Sequence, residues 1–351
     1  MKFIFLLVFL SANSLAADCS SEKIVSEYKP LYAKLFKITY FKDFKIIESK
    51  KDKFIVADKK LVCTTNLFTF TSNTLRFVAT STTHLPFLSE FSLEKTLVGF
   101  QGVRYIYNSK LKENYIKDIH YQLNAEELIS LKPDLVMAYT ANLSSLERVT
   151  ELRKAGIPLV LNYDFEERHP LARAEWLVFS AAFFSKDLEA QRLFKSIEVG
   201  YQRVKDKAKS FPLKKNVLIG DIQNGKWLTC GGSSDLAILI KDAGGELLLK
   251  SAPFETQSLS LENIYQIKEV PAFWLSQNNW QSKAEMTKDS RYKKFSKIAL
   301  YNNNALLNAN GFNDYWERAL MRPDLLLSEL FNIFHMDKIP KSELVWYKEL
   351  K

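Results

Sequence analysis

The side chains able to do chemistry in this 351-residue chain are few and scattered. His84, His120, His169 and His335 stand far apart, with no H-E-x-x-H and no C-x-x-C spacing for a metal. Gly231-Gly232-Ser233-Ser234-Asp235 lacks the G-x-S-x-G spacing that lifts a serine onto a nucleophile elbow. No phosphate loop is present either. What remains is chemistry of recognition, and no enzyme or resident cofactor is expected. Arg173 can grip a carboxylate or catecholate with paired hydrogen bonds, or form a salt bridge to Glu166 or Glu167. His84 can hydrogen-bond a bound molecule, coordinate its metal, or sit as a capping or buried imidazole.

The elements that must position these residues are legible. Asn124–Tyr139 reads NAEELISLKPDLVMAY: a capped short helix, a proline stop and an apolar strand of the kind buried in a parallel sheet. Glu127 stands three residues after the Asn124 cap, at capping-box spacing. Similar strand–helix alternation runs through 74–162, with strands at TLRFVAT, LVGFQG and IPLVLNY. A stretch with helical spacing follows over 170–208, as one long helix or two with a break near Ser185. A second α/β unit follows, in which 261–276 repeats the helix–proline–strand pattern of the opening stretch. Before all of this, 31–63 alternates apolar and charged residues and breaks at 49–53, the pattern of a β-hairpin with a charged turn.

Residues 1–16 form a signal-peptide pattern: Lys2, an apolar run Phe3–Leu10 and Ser14-Leu15-Ala16 at the cleavage site, with Ala17 as the alternative end. The mature chain is therefore expected in the periplasm. Cys19 raises lipid attachment, but Asp18 stands where such a site wants a small residue, and anchoring is not expected. In an oxidising compartment a Cys19–Cys63 bridge would pin the N-terminal segment and leave Cys230 free, although sequence alone leaves the pairing open. The net charge is +9, but the basic residues are dispersed, with no aromatic-basic face for nucleic acid.

The expected organisation is a signal peptide (1–16), a β-hairpin extension (17–66), an α/β lobe (67–165), a connecting helix (166–210), a second α/β lobe (211–336) and a tail (337–351). This ordered set resembles the helical-backbone class of periplasmic solute-binding proteins of ABC importers, which carry iron-siderophores, haem and cobalamin. The resemblance rests on Ser81–His84, Gly99–Gly102, Asn124–Ala138, Glu167–Trp176, Gly231-Gly232-Ser233, Asp242–Gly245 and Asn313–Glu317, in family order across nearly the whole mature chain. The iron-complex branch usually has Gly where this chain has Ala172.

The resemblance implies a monomer that captures a metal chelate, foremost a ferric siderophore, and passes it to an inner-membrane ABC permease with its ATPase. It implies that Glu126 and Glu262, at the starts of matched short helices, dock to arginines of the permease; the competing reading is that both favour the helix dipole. It places the ligand between the lobes, at the carboxyl ends of strands. There His84, Tyr139, Glu167, His169, Arg173, Trp227, Tyr301 and Trp316 are the candidate contacts. Trp227, Trp280 and Trp316 have packing as their plainer role. A bare zinc or manganese site would draw on His84 and His169, but the second lobe offers no partner histidine outside His335. A helical connector is expected to keep lobe closure small.

Overall fold

The computed structural model describes residues 18–351 apart from 62, 64, 73–74, 140–145, 212–213, 250–253 and 338–342. The signal segment expected at 1–16 lies outside the described residues.

The N-terminal extension is a five-stranded sheet, more than the single hairpin expected. Its strands are Ser26–Tyr28, Phe36–Tyr40, Phe44–Ser49, Asp52–Ala57 and Phe68–Thr71, antiparallel except for the last pair. The charged turn falls where the sequence placed it, with Lys50 at φ 52°. A second turn at Phe41–Asp43 was hidden, because FKITYFKDFKII alternates apolar and polar residues straight through it. One face (Phe36, Ile38, Ile47, Phe54, Val56, Phe70) joins the main core. The other (Phe44, Ile55, Ala57) covers Cys19, which is disulfide-bonded to Cys63; Cys230 is a free thiol.

Two carboxylates fasten this sheet to the rest of the molecule. Glu175 accepts the amides of Leu31, Tyr32 and Ala33 at 2.7, 2.8 and 2.8 Å, and the Tyr28 hydroxyl at 2.7 Å. Glu167 accepts the next two amides, Lys34 and Leu35, at 3.0 and 3.1 Å, and the Trp176 indole N–H at 3.1 Å. Five consecutive amides that belong to no ladder are thereby satisfied, as buried backbone requires.

The first lobe is a parallel sheet in the order Leu159–Asn162, Leu135–Tyr139, Phe77–Ala79, Leu97–Phe100, Lys117–Asp118. Its central strands are apolar on both faces because both faces are covered. The connector is two helices, Pro170–Ala182 and Asp187–Lys209, broken where Ser185 adopts φ 50°. The second lobe orders Gly245–Leu247, Lys215–Ile219, Phe273–Ser276 and Ala299–Asn302 in parallel, and adds Lys348–Glu349 antiparallel at the edge. The stretch expected as a tail is therefore part of that lobe, and it buries Trp346, Tyr347 and Leu350. A three-stranded antiparallel ribbon (Asp221–Gln223, Lys226–Thr229, Gln257–Leu259) flanks it. Among the described residues no helix is long and apolar enough to cross a membrane. Two α/β lobes joined by a helical backbone are thus the architecture, as the sequence led one to expect.

Candidate functional site

Parallel strands put their following loops at one edge of each sheet, and the two lobes turn these edges toward each other. The loop after Phe77–Ala79 reaches across, where the Thr82 hydroxyl donates to the Trp316 carbonyl at 2.9 Å. The loop after Leu97–Phe100 makes a second clamp. Tyr107 and Asn108 amides donate to the Glu317 carboxylate at 2.6 and 3.2 Å, and the Asn308 side chain donates to the carbonyls of Arg104 and Ile106 at 2.9 Å each. Tyr105 meets Phe312 edge-on at 4.4 Å.

A third crossing is ionic. Arg173, in the first turn of Pro170–Ala182, lies 3.5 Å from Asp164 of the first lobe and 3.2 Å from Asp235 of the second. Asp164 opens the turn after strand Leu159–Asn162, and Asp235 opens a helix capped by Ser234. The geometry is unfinished. Arg173 Nε, Asp164 Oδ1, Asp235 Oδ1 and both ring nitrogens of His84 are buried without a partner in hydrogen-bond geometry. Native proteins leave such atoms unpaired where water or a ligand completes them.

Electrostatics follow from burial. Desolvation pushes His84 down to about 4, with Asp164 and the Met137 backbone pulling weakly the other way, so the ring is neutral at neutral pH. Burial raises Asp235 against the opposing Arg173. Burial alone would lower Arg173, but Asp164 and Asp235 outweigh it and hold the guanidinium charged. Tyr139 is raised by burial and by Asp164, and its ring meets Phe165 at 4.5 Å.

The structure brings His84, Tyr139 and Arg173 to this cleft, with Trp316 44% exposed at its edge. It places four other candidates elsewhere. Glu167 spends its carboxylate on the 34–35 amides. His169 caps its own helix, accepting from the Leu171 amide at 3.1 Å, and packs between Tyr32, on which it stacks, and a tilted Tyr201. Trp227 is wholly buried, donating to the Ile219 carbonyl at 2.8 Å within a cluster of Trp274, Tyr292 and Phe295. Gly220 at φ 115° permits that, since a side chain there would strike the Leu228 carbonyl. Tyr301 is buried and directed to Met336. Trp280 likewise packs on Trp274 and Tyr292. Arg173 does pair with acids, but with Asp164 and Asp235; Glu166 is taken by Lys50 and Glu167 by backbone.

Several cleft residues escaped sequence reasoning: Tyr105, Asp164, Asp235, Phe312 and Glu317. Asp164 and Asp235 did carry a signal, since each follows a strand and opens a helical turn. The two matched acids, Glu126 and Glu262, are exposed, each at the second position of its short helix.

A buried, polar, two-sided cleft between helix-linked α/β lobes defines a receptor for a solute. Residues 78–304 match the family model described as Periplasmic binding protein, and the chain belongs to that family. Its members are binding proteins rather than enzymes, and membership places the chain in the periplasm or outside the cell. An uncharacterized lipoprotein of Methanocaldococcus jannaschii is 23% identical over 281 residues, covering 74% of this chain and 65% of that relative's length. Among solved structures, a periplasmic heme-binding protein of Pseudomonas aeruginosa superposes with a TM-score of 0.59 at 15% identity, over 79% of this chain and 98% of that one. The vitamin B12 binding protein BtuF of Vibrio cholerae gives 0.52 at 13% identity, over 74% and 98%. At these identities the likeness is one of fold.

Proposed function

We propose that the chain is the substrate-binding component of an ABC importer. It captures a metal chelate, foremost a ferric siderophore, and delivers it to an inner-membrane permease with its ATPase. The observation that carries this reading is the convergence of unsatisfied buried polar atoms from both lobes on one cleft, with aromatic rings at its edges. Such a surface holds a bulky polar-aromatic ligand by hydrogen bonds and catalyses nothing. The reading is of an unanchored receptor, and the engagement of the Cys19 sulfur with Cys63 rather than an acyl chain supports it.

Haem is the second reading, and one pair favours it. The Arg104 guanidinium lies 2.8 Å from the Tyr105 hydroxyl, on a ring 37% exposed. An exposed tyrosine oxygen of this kind is one that ferric haem iron accepts as an axial ligand. Cobalamin would serve the same role. Fluorescence titration of the purified chain with ferric siderophores, haem and cobalamin decides among them. Saturable binding of a ferric siderophore alone supports the first reading, and binding of none of the three removes the chelate reading altogether.

A further inference from the structure

Two residues that carry the lobe-crossing clamp, Trp316 and Glu317, lie beyond residue 304, where the match to the family model ends. Trp316 offers its carbonyl to Thr82, and Glu317 offers its carboxylate to the Tyr107 and Asn108 amides. Both belong to one short turn, the 3-10 helix Asp314–Trp316 and the residue that closes it. Three residues of 3-10 helix do not hold a direction by themselves, so the aim of the turn is set by what grips it.

The grip comes from the C-terminal segment. Asp314 is 0% exposed, and its carboxylate accepts the indole N–H of buried Trp346 at 2.8 Å. Half-exposed Arg318 donates to both oxygens of the same carboxylate at 2.7 to 2.9 Å. The Tyr315 ring meets Tyr347 edge-on at 5.9 Å, and the Ala305 amide donates to the Trp346 carbonyl at 3.0 Å. Trp346 and Tyr347 are held in turn by Glu329 of the helix Pro323–His335, which accepts their amides at 3.0 and 2.6 Å. Lys348–Glu349 then pairs antiparallel with Tyr301 and Asn302. Removing the indole N–H deprives a buried carboxylate of a donor that water does not replace there, which costs more than an exposed bond.

We propose that the C-terminal segment 344–350 positions the clamp between the lobes: Trp346 and Tyr347, fixed on Glu329, hold Asp314 and Tyr315 so that Trp316 and Glu317 meet the first lobe. When the segment lifts, the clamp lets go. Trp346 is thus a positioning residue, acting through Asp314 and touching neither the first lobe nor a ligand. The assignment stands whatever the cleft carries.

The test is hydrogen exchange of the full chain without ligand, read amide by amide. In the unaltered chain the Trp346 and Tyr347 amides should stay protected at least as long as those of Tyr107 and Asn108. Trp346→Phe keeps a ring in the core and removes only the donor. It should speed exchange at Tyr107 and Asn108 by about tenfold beyond any change at Val136 and Leu161 of the first-lobe sheet. A merely structural role would speed all four alike. The assignment is overturned if Trp346 and Tyr347 exchange while Tyr107 and Asn108 remain protected, or if Tyr107 and Asn108 show no protection at all. It is also overturned if they keep pace with Val136 and Leu161 in the folded variant. The comparison within the unaltered chain decides the matter if Trp346→Phe does not fold. None of these outcomes bears on the chelate reading.

Discussion

The Glu317 carboxylate accepts the Tyr107 amide at 2.6 Å, and this bond joins the two lobes at the cleft. The same carboxylate accepts Asn108 at 3.2 Å, so one side chain of the second lobe holds two consecutive amides of the first. Burial pushes Glu317 up to about 7, against the pull of those amides. Glu317→Gln places an amide N–H₂ against a backbone donor and should loosen the clamp. The expected result is a small rise in the radius of gyration of the unliganded chain by X-ray scattering. The unaltered protein should compact little on binding ligand, because a helical connector and several direct clamps restrict the hinge. A large compaction would count against this picture.

His84 gives a pH dependence with a defined sign. Its folded pKa of about 4 lies below the ordinary value of 6.5, so protons favour the unfolded chain. The stability it contributes is present above pH 6.5 and is lost as pH falls toward 4, by about 3 kcal/mol in all. Asp221, Glu317 and Glu329, each raised to about 7 chiefly by burial, run the opposite way, losing stability as pH rises through the folded value. The difference between the unaltered chain and His84→Gln isolates the histidine. Chemical denaturation at pH 4 to 7 should show the unaltered chain losing stability relative to the variant as acid is added. Parallel curves would mean that His84 does not titrate in this window.

Glu175 anchors the extension. Each of its oxygens accepts two hydrogen bonds, and the residue is 1% exposed. Glu175→Gln turns one oxygen into a donor facing donors, at a cost of about 3 kcal/mol. Limited proteolysis should then cut first at 29–35, the segment whose amides Glu175 holds. A variant with unchanged urea midpoint and unchanged cleavage would refute the anchoring role.

The sequence disclosed what local physics controls. Asn124 caps its helix, accepting from the Glu126 and Glu127 amides, and Leu135–Tyr139 is a buried parallel strand. Ser185 breaks the connector where the pattern wavered. Long-range choices were hidden. Nothing near Glu167 or Glu175 announces that each will serve amides more than 130 residues earlier in the chain. Trp227 and Tyr301 end or flank apolar strands, and that pattern reads the same whether a ring turns toward a cleft or a core. Asp164 and Asp235 lie 71 residues apart in sequence (235 − 164) and become a pair only through Arg173. The Glu127 carboxylate also departed from its expected capping box: it accepts the His120 amide at 3.1 Å instead of returning to Asn124.

The proposed docking to a permease would fall on one exposed acid from each lobe. Glu126 and Glu262 are both exposed, and three residues after each comes an exposed large side chain, Ile129 at 52% and Tyr265 at 37%. An exposed charge sets register and on-rate at an interface. Replacing both acids with Gln should leave chelate affinity nearly unchanged, because both are exposed and neither pairs with Arg173. It should slow delivery in a reconstituted transporter, and high salt should partly mimic the defect by screening exposed charges beyond about 10 Å at 0.1 M. Glu127 is the internal control. Its carboxylate holds the His120 amide, so its loss should cost about 1 kcal/mol of stability with little effect on delivery. If the Glu126→Gln/Glu262→Gln variant supports uptake at the unaltered rate, both acids serve only the positive ends of their own helices.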